Sequence, residues 1–114
     1  MSAITTHILD ISTGRPAAGV PVTLELRSQA SGWEKVGKGE TDADGRIGDL
    51  FDKKLVFLPG HYRITFDTGI YFAGQELQAF YPQVSVMFTV RDANQHYHVP
   101  LLLSPYGYST YRGS

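Results

Sequence analysis

Turn-forming residues recur at short intervals along this sequence and separate stretches that are rich in β-branched and aromatic residues. The turn signals occupy residues 12–16, 31–32, 42–45, 58–60, 92–94 and 104–105. Several short strands at such spacing are typical of an all-β sandwich or barrel. We predict eight strands, near residues 4–10, 20–28, 33–41, 49–57, 61–67, 84–92, 95–103 and 106–112.

The alternation of apolar and polar residues supports these strands. In the segment HYRITFD, the side chains of Tyr62, Ile64 and Phe66 share one face. Residues 68–77 lack a period of two, and a single short helix is predicted there. The strands at 84–92 and 95–103 are joined by Asp-Ala-Asn, which predicts that they pair as a hairpin.

The composition fits one globular domain over residues 1–114, with 42% hydrophobic and 18% charged residues. The net charge of -1 gives no reason to expect a nucleic-acid partner, and the apolar runs are too short to span a membrane. The absence of cysteine excludes disulfides, thiolate catalysis and cysteine-based zinc sites. The first residues do not resemble a secretory signal, so we expect a cytoplasmic protein unless a targeting segment was removed.

The acidic segment ETDADGRI resembles part of a calcium-binding loop, but a phenylalanine stands where the loop needs its last glutamate. We therefore interpret the segment as a turn. Asp42 and Asp44 are expected to cap backbone amides, and Gly45 to adopt a positive φ. The turn would hold Arg46 on a well-defined corner, although a loop arginine is more often simply solvated.

The predicted strand at 95–103 has two contrasting faces. One face is apolar and should lie in the core; it carries Tyr97, Val99, Leu101 and Leu103. The other face carries His96, His98, Pro100 and Leu102. The second set is unusual for a solvated surface, so we expect a partner subunit or a ligand to cover it. Two histidines without a third ligand make zinc a weak interpretation.

The last residues are expected to return to this face. A hairpin at Ser104-Pro105 would bring Tyr111, Arg112 and Ser114 close to the two histidines. An aromatic ring, a guanidinium and a hydroxyl beside imidazoles form a plausible site. The orientation of Arg112 stays open, and His7, in the middle of the first strand, is by itself more often a structural residue than a catalyst.

These residues resemble the 5-hydroxyisourate hydrolases, the transthyretin-related enzyme family of urate breakdown. The most specific part is the terminal YRGS, supported by THILDISTGRPAAGVPV, TDADGR and HYHVPLLLSPYGYSTYRGS. The resemblance covers almost the whole chain and implies a transthyretin-like sandwich of two four-stranded sheets with one short helix. It also implies a homotetramer, a dimer of dimers, whose active sites form at the dimer–dimer interface.

The resemblance implies that the family's functional residues correspond here to His7, Arg46, His98 and the terminal tetrapeptide. Within the tetrapeptide, Tyr111 and Ser114 are the residues expected to make contacts in the site. The implied reaction opens a cyclic amide, converting the small-molecule substrate 5-hydroxyisourate to 2-oxo-4-hydroxy-4-carboxy-5-ureidoimidazoline without metal or cofactor. Either histidine suits the role of base. Arg46 would keep imidazoles neutral and stabilise an oxyanion, Ser114 would orient His98, and Tyr111 would bind the ring.

Two other functions fit a sandwich of this kind. A carrier of the transthyretin type would bind a small ligand and release it unchanged, but its channel should be apolar rather than lined by histidines and an arginine. An adhesion module would carry the terminal motif by chance and would not bring these side chains together. Fold alone does not separate the three functions.

Overall fold

The computed structural model describes residues 3–30 and 32–114. The strands are β1 Ile4–Asp10, β2 Arg15–Pro16, β3 Pro21–Ser28, β4 Gly32–Glu40, β5 Arg46–Ile47, β6 Gly60–Phe66, β7 Val84–Val90, β8 Tyr97–Ser104 and β9 Gly107–Thr110, and the helix is α1 Thr68–Ala73. No segment within the described ranges has the length and apolar character of a membrane-spanning helix.

The strands form two sheets. The first sheet has the order β2-β1-β8-β9, and the short β5 also pairs with β1. The second sheet has the order β4-β3-β6-β7. The predicted all-β sandwich with one short helix is confirmed, with the difference that two-residue strands bring the first sheet to five members.

The core lies between the two sheets because each strand turns its apolar face inward. In β6, the side chains of Tyr62, Ile64 and Phe66 are completely buried, as the alternation predicts. In β8, the inward row is Tyr97, Val99, Leu101 and Leu103, with each residue no more than 5% exposed. The outward face of β8 is therefore the one that carries His98, and His96 immediately precedes the strand.

The prediction of a strand at 49–57 is wrong. Only Phe51 makes a β-bridge, to Gly37, and the rest of the segment is loop and turn. The carboxylate of Asp52 accepts a hydrogen bond from the backbone N–H of Lys54, and the Asp52 carbonyl accepts one from Leu55. These local bonds offer the backbone an alternative to a sheet ladder.

The prediction of a hairpin between 84–92 and 95–103 is also wrong. β7 pairs with β6 in the second sheet, whereas β8 pairs with β1 and β9 in the first. The Asp-Ala-Asn connection thus carries the chain from one sheet to the other. The predicted pairing of the terminal strand with β8 is confirmed, because β9 runs antiparallel to it.

Candidate active site on the outer face of the first sheet

The candidate site residues lie in a row across the first sheet. Arg46 of β5 is opposite His7 of β1. On the other side of β1, Thr5 is opposite His98 of β8. His98 in turn bridges to Gly113 of the C-terminal tail. Residues that are opposite each other in neighbouring strands share a face of the sheet, so four separate segments contribute to one surface.

The turn at residues 42–46 fixes the backbone position of Arg46. The carboxylate of Asp42 accepts hydrogen bonds from the backbone N–H groups of Asp44 and Arg46, each at 2.9 Å. Gly45 has a φ of 74°, and a Cβ there would lie 2.5 Å from the carbonyl oxygen of Ile8. Only glycine fits this position. The capping expected of both aspartates is provided by Asp42, and the Asp44 carboxylate takes no part in these bonds.

His98 is fixed at one ring nitrogen. Its Nδ1 atom lies 2.8 Å from the hydroxyl oxygen of Thr5, which also lies 3.1 Å from Nε2 of His96. Within the described part of the chain, Nε2 of His98 has no hydrogen-bond partner. This nitrogen is therefore available to a water molecule or a substrate.

Partial burial lowers the pKa of His98 below the usual value of a histidine, because the charged ring loses hydration. The positive charge of Arg46 lowers the same pKa further, and so do the charges of His7 and His96 when they are protonated. A hydrogen bond with the backbone of Thr5 acts in the opposite direction. The net effect keeps His98 neutral, and so able to accept a proton, at near-neutral pH.

The C-terminal tail is anchored along the edge of β8. The backbone N–H of Gly113 donates to the carbonyl of His98 at 2.8 Å. The guanidinium of Arg112 donates to Oε1 of Gln95 at 2.9 Å and lies over the ring of Tyr97, 4.5 Å from its centroid. Arg112 therefore anchors the tail. As a result, the next two residues, Gly113 and Ser114, lie beside His98.

A cleft of about 250 Å³ opens at this place. Its lining residues are Thr5, Thr6, Arg46, Ile47, Gly48, His96, His98 and Ser114. Four larger clefts lie among the described residues, including one of about 500 Å³ bordered by Lys53 and Lys54, but none of these four joins two imidazoles to an arginine. The smaller cleft therefore has the more specific chemistry.

The structure brings some of the predicted site residues together and separates one. Arg46, His98 and Ser114 line the cleft. His7 does not line it but shares the sheet face, opposite Arg46. Tyr111 instead borders a groove between the edges of the two sheets, where it is 58% exposed. The convergence of the other residues argues against an adhesion module.

Two residues of the cleft carry no role in the sequence-based prediction. Thr5 occupies the Nδ1 side of His98, where the orienting role was assigned to Ser114. His96 shares the same hydroxyl. Thr5 and His7 are two residues apart in β1, so the sequence already predicts that they share a face. The contact of Thr5 with His98, however, depends on the parallel pairing of β1 with β8, two strands that are separated by most of the sequence. Among the described residues, no group of three His, Asp or Glu side chains is arranged to hold a metal ion.

Comparisons with known proteins agree with the resemblance seen in the sequence. The model of the HIUase/Transthyretin family matches residues 4–113. The curated 5-hydroxyisourate hydrolase of Salmonella dublin is 51% identical over 111 residues, covering 97% of this chain and 80% of that protein. The solved structure of Klebsiella pneumoniae 5-hydroxyisourate hydrolase has a TM-score of 0.84 and 38% identity, covering 99% of this chain and 100% of that one.

Sea bream transthyretin, solved in complex with thyroxine, has a TM-score of 0.89 and 33% identity, covering 97% of this chain and 94% of that one. A 5-hydroxyisourate hydrolase and a transthyretin that binds thyroxine thus share this fold. The resemblance inferred from the terminal residues and the supporting motifs is confirmed, and the chain belongs to the HIUase/transthyretin family.

Proposed function

We propose that this chain hydrolyses 5-hydroxyisourate in urate degradation. The observation that carries the proposal is the cleft in which His98, with an available Nε2, lies beside the guanidinium of Arg46. In the hydrolysis of an amide, a neutral base can activate the attacking water and a fixed positive charge can stabilise the oxyanion. The curated relative at 51% identity is named for the same reaction.

The proposed reaction is the addition of water to a ring carbonyl of the substrate. Nε2 of His98 takes a proton from the water, whose oxygen forms a bond to the carbonyl carbon. The C–N bond of the cyclic amide then breaks, and the departing nitrogen receives the proton from the imidazolium. The ring opens to a carboxylic acid, which releases its proton to the solvent at near-neutral pH, giving 2-oxo-4-hydroxy-4-carboxy-5-ureidoimidazoline.

Arg46 has two proposed roles. Its charge disfavours protonation of His98, which keeps the base available. The same charge stabilises the oxyanion that develops as the carbonyl carbon becomes tetrahedral. His7, opposite Arg46 in the sheet, is proposed to bind the substrate and to assist in proton transfer.

We propose that the reaction does not require a metal ion, because His98 already supplies a base and Arg46 a positive charge. A chelator should therefore leave the rate unchanged.

We further propose a homotetrameric assembly, a dimer of dimers. The outer face of the first sheet carries Leu9 and Leu102, which are only half-buried in the single chain, next to the histidines. Met87 on the edge strand β7 is 60% exposed, and Tyr111 borders the neighbouring groove. Covering these surfaces would hide apolar area from water. In such an assembly, Tyr111 would reach the substrate at the boundary between subunits. Light scattering coupled to gel filtration measures the subunit number.

The activity is testable by generating 5-hydroxyisourate with urate oxidase and following its decay by absorbance. We expect this protein to accelerate the decay, with kcat/KM falling at acidic pH as His98 becomes protonated. Because the pKa of His98 is lowered, the midpoint of this fall should lie below about pH 6.5. Binding of the substrate without faster decay would favour a carrier, and a rate independent of pH between 4 and 8 would reject His98 as the base.

Gly113 is expected to be sensitive to any added side chain. A Cβ at this position would lie 2.5 Å from Cδ2 of His98, so Gly113→Ala must displace either the imidazole or the tail. Since displacements of about 1 Å cost roughly 10²-fold in rate, we expect kcat/KM to fall by about that factor. The decay of 5-hydroxyisourate measures the effect.

The matched control is Gly107→Ala in the adjacent strand β9. A Cβ there would meet only Oγ of Ser104, at an ordinary contact distance of 3.8 Å, and should leave the rate nearly unchanged.

Deleting Gly113 and Ser114 together tests the tail in a second way. Full activity of the deletion variant would mean that the tail does not belong to the site.

A further inference from the structure

The hydroxyl of Thr5 lies between two imidazoles of the candidate site. Its oxygen is 2.8 Å from Nδ1 of His98 and 3.1 Å from Nε2 of His96, both hydrogen-bonding distances. Thr5 is half-buried in the middle of the row, and its position opposite His98 follows from the pairing of β1 with β8. The contact is thus fixed by the sheet and not by a mobile loop.

A threonine hydroxyl has one proton, so it can donate to only one of the two rings. While both hydrogen bonds exist, at least one of the two nitrogens must carry a proton and donate it to Thr5. The protonation of His98 is therefore linked to that of His96. If Thr5 donates to Nε2 of His96, His98 must donate from Nδ1, and its Nε2 then carries a lone pair.

We propose that Thr5 is a positioning residue that holds neutral His98 in the Nδ1–H tautomer by donating its own proton to His96. The proposal rests on the proposed hydrolase function, for which this tautomer is the form able to accept a proton at Nε2.

The other groups that face the cleft are Arg46 from β5 and Ser114 from the tail, and His7 lies opposite Arg46 in the sheet. When Nε2 gains a proton, the bond from Nδ1–H to Thr5 becomes charge-assisted and strengthens. Thr5 then has the orienting function that the third member has in a catalytic triad.

The test is a direct measurement of the tautomer by ¹⁵N NMR of histidine-labelled protein near pH 8. We expect the wild type to give a protonated Nδ1 and an unprotonated Nε2 for His98. Thr5→Val keeps the branched shape but removes the hydroxyl, so His98 should shift toward the Nε2–H tautomer. Thr5→Ser should retain the wild-type signals. His96→Phe removes the acceptor of the Thr5 proton and should shift His98 in the same direction as Thr5→Val.

Kinetics give the second readout, because only the fraction of molecules in the base tautomer is active. We expect Thr5→Val to lower kcat about tenfold with a smaller change in KM, and Thr5→Ser to restore most of the rate. Thr89→Val is a matched control: the Thr89 hydroxyl lies 2.9 Å from Nδ1 of His61 on the second sheet, and its loss should not affect turnover.

Three outcomes would overturn the proposal: a wild-type His98 in the Nε2–H tautomer, an unchanged tautomer in Thr5→Val, or a shifted tautomer with undiminished kcat. Failure of the hydrolase function gives a different pattern. A wild-type chain that does not accelerate decay of 5-hydroxyisourate, but keeps the Nδ1–H tautomer only while Thr5 or serine is present, would reject the reaction and support the link between Thr5 and His98.

Discussion

Replacing His98 by alanine should lower kcat/KM for 5-hydroxyisourate by roughly 10²–10⁴-fold, the range typical of losing an acid–base group. His98 is the imidazole with an available Nε2 in the cleft, and its lowered pKa keeps it neutral at near-neutral pH. The urate-oxidase-coupled decay assay measures the loss.

His61→Ala is the control for this substitution. His61 is an exposed histidine on β6, in the second sheet, and its loss should leave the rate within about twofold of the wild type, since isolated surface substitutions usually have small effects. The subunit number of both variants should match that of the wild type. Near-normal ring opening by His98→Ala, in a correctly assembled protein, would contradict the assignment of His98 as the base.

Local patterns in the sequence predict most of the fold. The alternation in β1, β3, β6 and β8 identifies the strands and their buried faces, because a period of two is a property of the strand itself. The two wrong predictions are the strand at 49–57 and the hairpin between 84–92 and 95–103. Both depend on information that the alternation of apolar and polar residues does not contain. The Asp-Ala-Asn turn is compatible with a hairpin or with a crossing between sheets, and residues 49–57 are apolar enough for a strand although Asp52 begins a turn.

The candidate site was predictable to the extent that its residues belong to recognisable motifs. The terminal YRGS and the TDADGR turn point to Ser114 and Arg46, and both line the cleft with His98. Thr5 has no such motif. Its role depends on the register between β1 and β8, which are separated by about 90 residues of sequence, and on a distance between side-chain atoms that no periodicity encodes. The resemblance and the expected hairpin of the tail place Tyr111 at the site; in the single chain its side chain borders the neighbouring groove, and its contact with the substrate stays a prediction.

Replacing Arg46 by glutamine should reduce kcat/KM by a comparable factor, roughly 10²–10⁴-fold, because the oxyanion loses a fixed positive charge. The substitution should also change the pH profile. Arg46 lowers the pKa of His98, so its removal should raise that pKa and move the acid limb of kcat/KM to higher pH. The move should be partial, since burial is the larger cause of the lowered pKa and remains in place.

The two effects of Arg46 can be separated with lysine at the same position. Arg46→Lys keeps a positive charge on the Asp42 turn, so the acid limb should stay near its wild-type position, while the loss of the planar guanidinium still reduces the rate. Arg27→Gln, an exposed arginine at the end of β3 in the other sheet, should change neither quantity. An acid limb that stays in place, or moves to lower pH, in Arg46→Gln would mean that the guanidinium does not act on the protonation of His98, and its contribution would then be confined to the transition state.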